Sequence, residues 1–189
     1  MKKSQLKYFA RLGAESFAED PLYVSYIPRK TRRKKFLYHL MMVRLAVSNR
    51  EDILVADKQG RGLCVFRSAA KKYSAGDFLR CVNTLPLMTG YLLPSMRILS
   101  FSNKLDTAVF GENTLLIEPV FVGPDYQGQG VATRLISEKM KELLEAGIPC
   151  GLMTQNGNNV GFYEKLGFRV IKKESAAPHG FHNYYMKAG

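Results

Sequence analysis

Residues 114–147 read TLLIEPVFVGPDYQGQGVATRLISEKMKELLEAG. An apolar run from Thr114 to Val122 gives way to a loop from Gly123 to Gly128, and the hydrophobic period then changes. Between Gly130 and Ala146 the residues Val131, Leu135, Ile136, Met140, Leu143 and Leu144 share one side of a helix, with Glu138, Lys139, Lys141, Glu142 and Glu145 on the other. Gly147 and Pro149 end that helix, and a second apolar run follows from Cys150 to Thr154. Strand, helix and strand at this spacing read as a right-handed crossover that lays two parallel strands in one sheet.

Working outward, a helix is expected at Val160 to Leu166, followed by strands at Phe168 to Lys173 and His182 to Met186. Upstream, Ile53 to Arg67 holds two short apolar runs around a Gly-containing turn, which is a hairpin. Before it come an amphipathic helix from about Lys2 to Phe17, a loop marked by Asp20-Pro21 and Pro28, and a helix from Thr31, as N-cap, to about Val47. Breakers at Pro86, Gly90 and Pro94 divide Ser74 to Lys104 into two short helices. The expected fold is α/β: a central mixed sheet with helices on both faces, in one domain over residues 1–189. Its parts are a helical substrate-side segment (1–50), the hairpin (53–67) and the core carrying the loop (114–186).

The chain has 189 residues, 46% hydrophobic and 23% charged, the make-up of a globular protein that folds without staples. Its three cysteines, Cys64, Cys81 and Cys150, have neither disulfide nor zinc-site spacing, so no metal is expected. The start, MKKSQLKYFARLG, lacks the apolar core of a signal peptide, and no stretch approaches a membrane span; a cytoplasmic protein is expected. The net charge of +12 favours anionic partners. Much of it gathers at Arg29, Lys30, Arg32, Arg33, Lys34 and Lys35, where it reads either as a solvated helix end or as a site whose bound anion offsets cations crowded at a helix N-terminus.

The loop carries the chemistry. Gln127-Gly128-Gln129-Gly130-Val131-Ala132 opens a helix after a strand, so its backbone N–H groups face an anion site, to which Thr133 adds a hydroxyl. The glycines let the chain approach a diphosphate closely. A Rossmann site would want a glycine at Thr133 and an acid about twenty positions on, where the chain reads Met153-Thr154-Gln155-Asn156. A Walker loop needs Gly-Lys-Ser/Thr, which is absent. A tight turn using its glycines for geometry alone is the remaining alternative.

The loop resembles that of the GCN5-related N-acetyltransferases (GNAT), Gln/Arg-x-x-Gly-x-Gly/Ala, in Gln127, Gly130 and Ala132. Val122-Gly123-Pro124-Asp125-Tyr126 resembles the family's approach to that loop, and Asn156 with Phe162-Tyr163-Glu164-Lys165-Leu166-Gly167-Phe168 its downstream signature. Pro119 agrees, because a proline inside a strand signals a bulge or an unpaired edge, and the family splays its sheet there. The resemblance implies acetyl-CoA (coenzyme A) as cofactor. It places the pantetheine arm along Val120, Phe121 and Val122, the pyrophosphate at Gln127 to Thr133, and Asn156 and Tyr163 nearby.

It also implies an N-acetyltransferase moving acetyl to a primary amine of a small molecule by direct attack. The alternatives are a protein or nucleic-acid-associated acceptor, reached through the basic segment, and a CoA-binding sensor without turnover. Tyr163 is implied as the acid that protonates the leaving thiolate, unless it only packs beside Phe162 and Phe168. Glu118, the only acid on the strand feeding the loop, is the expected base, its pKa raised by partial burial; it could equally hold a substrate cation or pair with a lysine. His39, His179 and His182 are further candidates for the base. Gln127 in place of Arg leaves the phosphate charge to Arg134, Lys165 or the basic segment.

Overall fold

The computed structural model describes residues 1–71, 106–176 and 180–189. The two helices expected within Ser74 to Lys104, and His179, lie outside the described residues. Among the described residues six strands form one sheet: β1 (Ile53–Ala56), β2 (Gly62–Ser68), β3 (Leu115–Val122), β4 (Cys150–Thr154), β5 (Arg169–Ala176) and β6 (Phe181–Ala188). Their order is β1-β2-β3-β4-β6-β5; β3 and β4 run parallel and every other neighbouring pair antiparallel. This is the expected mixed sheet.

The period-two pleat of β2 shows how both faces are covered. Leu63 and Val65 pack with helices α1 (Lys3–Ser16) and α3 (Lys30–Glu51), while Cys64 and Phe66 pack with the crossover helix, Val131–Glu145. The chain reaches that crossover helix, α5, through the short helix α4 (Asp106–Phe110), unforeseen in the sequence, and β3. Phe110 of α4 is buried against Leu116 and Tyr185, and its carbonyl accepts from Thr114 Oγ1 at 2.6 Å and Lys187 Nζ at 2.8 Å.

β3 is bulged where Pro119 foretold it. Cys64 pairs with Val120 and Phe66 with Ile117, so Val65 alone stands opposite Glu118 and Pro119. The extra residue shifts the alternation: Ile117, Val120 and Val122 all pack on the α5 side, whereas Phe121 turns to α1 and α3. Parallel pairing with β4 is confined to Leu115 with Cys150 and Leu116 with Gly151. Beyond those pairs the two strands part, leaving a wedge in the sheet.

The N-terminal segment departs from expectation in two places. Asp20-Pro21 opens a helix rather than a loop, α2 (Pro21–Tyr26), with Asp20 as N-cap accepting from Leu22 N at 3.0 Å. Thr31 is not an N-cap: α3 starts at Lys30 after Arg29, with no side-chain cap, and continues to Glu51. Lys30 pairs with Glu19, in the turn after α1, and Lys34 with Glu15, near the end of α1. Arg33, 3% exposed, donates to the carbonyls of Ala18, Ile27 and Pro28 and lies 3.4 Å from Glu19. Exposed pairs contribute under ~1 kcal/mol each, so Arg33, which fastens both ends of the α2 segment, dominates. Lys30, Arg33 and Lys34 of the basic cluster thus have protein partners.

Candidate functional site

The loop between β3 and α5 turns through Pro124–Tyr126, then through Gly128 and Gly130 at φ +74° and +72°, left-handed conformations that favour glycine. Gln129 is braced by its Nε2, which donates to Asp125 O at 3.0 Å, and Gln127 by its Nε2 to Val122 O at 3.3 Å. The first intrahelical acceptor of α5, Gly130 O, is taken by Arg134 N. Among the described residues, none of the backbone N–H groups from Gly128 to Thr133 makes a well-formed bond within the protein. These free donors coincide with the positive end of the α5 dipole. The Arg134 guanidinium lies beside them, its Nη1 3.4 Å from Gln129 O. Lys165 instead lines a groove along α5 with Met140 and Leu144.

A cleft of about 650 Å³ runs from this loop along β3 to helix α6 (Val160–Glu164). Every residue expected on the cofactor side lines it except Gln129: Val120 to Val122, Gln127, Gly128, Gly130 to Thr133, Asn156 and Tyr163. Asn156 also caps the turn after β4, its Oδ1 accepting from Asn158 N at 3.1 Å. A smaller pocket of about 140 Å³ occupies the wedge between β3 and β4, bounded by Ile117 to Val120 and Leu152 to Gln155. Phe17, Asp20, Val120, Asn159 and Tyr163 border both spaces, so the two cavities adjoin.

Tyr163 stands at that junction. Its ring packs edge-on to Phe162 and Phe168, with centroids 5.0 and 6.0 Å away, yet among the described residues its hydroxyl has no partner. Burial, with smaller contributions from Cys64 and Asp20, pushes its pKa well above that of an ordinary tyrosine, and the phenol keeps its proton.

Glu118 behaves contrary to expectation. Burial alone would raise its pKa, but Arg44 and Arg67 bring it down to about 2. Arg67 Nη2 and Nε lie 2.7 and 3.0 Å from Oε2, and Arg44 holds Oε1. A carboxylate so held has no tendency to take a proton at neutral pH, so the raised pKa that would make it a base is absent. Its partners are arginines rather than a lysine.

Asp20, passed over in the sequence as a loop marker, is the carboxyl at the junction whose pKa is raised, with burial the largest cause and the α2 amides opposing it. The signal was present: Asp followed by Pro is an N-cap with Pro at the first helical position. Among the histidines, His39 is buried on α3, edge-on to Tyr38, and burial with Lys35 nearby lowers its pKa, leaving it neutral. His182 lies on β6 beside Tyr184. Neither borders the two cavities.

A mixed sheet thus parts beside a glycine loop, with the start of a helix at the mouth of the gap. Residues 100–170 match the family model described as an acetyltransferase (GNAT) domain. A peptidyl-lysine N-acetyltransferase of Salmonella typhimurium, YjaB, is 35% identical over 54 residues, 29% of this chain and 36% of that protein's length. The chain thus matches about a third of that curated relative. Among solved structures, one described as histone acetyltransferase HPA2 and related acetyltransferase, from Corynebacterium glutamicum, has a TM-score of 0.65 at 14% identity, covering 99% of this chain and 92% of that one. The PaiA N-acetyltransferase of Thermoplasma acidophilum, in complex with coenzyme A, has a TM-score of 0.55 at 16% identity over 100% and 94% of the two chains. At these identities the structural likeness is one of fold. The family match over residues 100–170 and the likeness of fold over the whole chain agree with the resemblance to the GNAT acetyltransferases. Among the described residues no helix is long and apolar enough to cross a membrane.

Proposed function

We propose that this protein transfers acetyl from acetyl-CoA to a primary amine of a small molecule, by direct attack. The observation that carries the reading is the continuity of the site: free loop amides, the parted strand and the Tyr163 hydroxyl border one cleft. The residues fit the cofactor. Gly128 faces open space, so nothing fills the cradle, and the cleft has the volume of an ordinary cofactor site. The amides of Gly128 to Thr133, with Arg134, would hold the pyrophosphate, and the β4-facing side of Val120 to Val122 the pantetheine arm.

Bound acetyl-CoA supplies a thioester-activated acyl carbon and a thiolate leaving group. The chain's own residues do the rest. The loop fixes the cofactor's position, which converts a bimolecular encounter into an oriented one. Tyr163 donates its hydrogen toward the leaving sulfur; its raised pKa keeps that donor loaded throughout the working pH range. The Glu118 carboxylate, clamped by two arginines, stiffens the wall of the smaller pocket and moves no proton.

Tyr163→Phe keeps the packing against Phe162 and Phe168 and removes only the donor. We expect kcat to fall about 10- to 100-fold while acetyl-CoA binding stays within a few-fold. Rates unchanged across pH would remove Tyr163 from the chemistry. The test of the whole reading is an acetylation screen with acetyl-CoA over small primary amines, with lysine peptides alongside. A protein lysine is the second reading, favoured by the peptidyl-lysine acetyltransferase that matches over 54 residues; turnover of peptides but not of small amines would select it.

A further inference from the structure

We propose that Asp20 is the general base of this site: its carboxylate takes the proton from the acceptor's ammonium group in the smaller pocket, freeing the nitrogen lone pair beside the thioester. The inference rests on the acetyltransferase reading and assigns a residue and an acceptor shape to it.

Asp20 borders both the cofactor cleft and the smaller pocket, and Arg33 holds the segment around it from both sides, through Ala18 before it and Ile27 and Pro28 after it. Its Oδ1 caps α2 through Leu22 N, and an acid in that role stays ordered without an ion-pair partner. The titratable groups that line the smaller pocket with it are Tyr23 from α2, Arg44 from α3, Glu118 from β3 and Tyr163 from α6, and those that line the outer cleft with it are Glu19, Tyr126 and Tyr163. Arg44 is bound to Glu118, and Glu19, next in the chain, is bound to Lys30. Among the described residues three acids border the two cavities, and Glu118 and Glu19 are committed to cations. Burial raises the Asp20 pKa, which brings its basicity closer to that of the amine it must deprotonate.

The pocket also restricts the acceptor. An apolar cavity of ~150 Å³ holds one benzene, and this pocket has about 140 Å³. It takes the slender end of an acceptor, an unbranched aminoalkyl arm, whether from a diamine or from a lysine side chain. The protons balance. One N–H bond of the ammonium breaks as an O–H bond forms on Asp20, and the electron pair left on nitrogen makes the new C–N bond. As the C–S bond breaks, Tyr163 protonates the thiolate; the second proton that nitrogen loses on becoming an amide refills the phenol. Asp20 then returns its proton to solvent through the outer cleft.

The experiment compares Asp20→Asn with the native chain, using 1,5-diaminopentane in one arm and a lysine-containing peptide in the other, with kcat/KM followed from pH 5.5 to pH 10. Asparagine caps a helix as well as aspartate does, so a purely structural role predicts no change. In the native protein kcat/KM falls as pH drops through the raised Asp20 pKa and is level above it. In Asp20→Asn the rate at pH 7.5 drops about 100-fold, then climbs about tenfold per pH unit toward the amine's own pKa, while acetyl-CoA affinity is unchanged. A variant within about threefold of native, with the same level region, overturns the proposal and leaves the acetyltransferase reading standing. A native protein that neither binds acetyl-CoA nor acetylates either probe overturns both. The arm with the higher native kcat/KM identifies the source of the aminoalkyl group.

Discussion

Replacing Gly128 and Gly130 together by glutamate is expected to raise the Kd for acetyl-CoA at least about 1,000-fold, which in calorimetry reads as loss of binding. Three effects act in the same direction. The site binds through amides that point past the start of α5, and a side chain at Gly128 enters the open space in front of them. Two carboxylates then stand where two phosphates must come; at ~4 Å each like-charge contact costs about 1 kcal/mol in water and ~4 kcal/mol at a partly shielded surface. Both positions also have left-handed φ, which costs a non-glycine residue roughly 1–2 kcal/mol and distorts the cradle.

Gly128→Ala with Gly130→Ala separates these contributions, because alanine brings the strain without the charge. It should weaken binding by about 10- to 30-fold, and the further loss in the glutamate pair is electrostatic. Melting temperature should fall by only a few degrees in both, since each kcal/mol corresponds to about 2–4 °C in a chain of this size. Micromolar binding retained by the glutamate pair would mean that the pyrophosphate is held elsewhere.

How much of this site the sequence discloses depends on how far each feature reaches along the chain. Gly128, Gly130 and the apolar face of α5 are local, and the structure places loop and helix where their spacing predicts. Pro119 is local too, and the bulge opposite Val65 with the parting of β3 from β4 follows from one missing N–H. The helix α2 was equally legible in Asp20-Pro21, but a six-residue helix offers too little periodicity to be noticed from hydrophobic pattern. Glu118 is the opposite case. The arginines that decide its protonation lie 51 and 74 positions away, so its environment is a property of the folded sheet and helix and not of the strand it sits on. The basic segment likewise depends on residues outside it: Glu15, near the end of α1, pairs with Lys34, and Glu19, in the turn after α1, pairs with Lys30.

Glu118→Gln tests that long-range cluster, and its expected effect is on stability. The native carboxyl sits at about 2 against an ordinary value of 4.5, and ~1.4 kcal/mol per pKa unit makes this about 3 kcal/mol at neutral pH. The figure agrees with the ~3–5 kcal/mol that removing one partner of a buried ion pair costs, and Arg67 here is only 5% exposed. At pH 7 the variant should melt about 6–12 °C below the native protein. The pH dependence distinguishes this from a packing defect. Because folding depresses the pKa, the native advantage is complete above the unfolded value near 4.5 and is lost as pH falls through about 2. Denaturant titrations at a series of pH values should therefore show the gap between native and variant closing from about 3 kcal/mol at pH 6 toward zero near pH 2. A gap that stays constant over that range would assign the loss to shape and hydrogen bonding rather than to charge, and the two arginines would then have to be balanced by something other than Glu118.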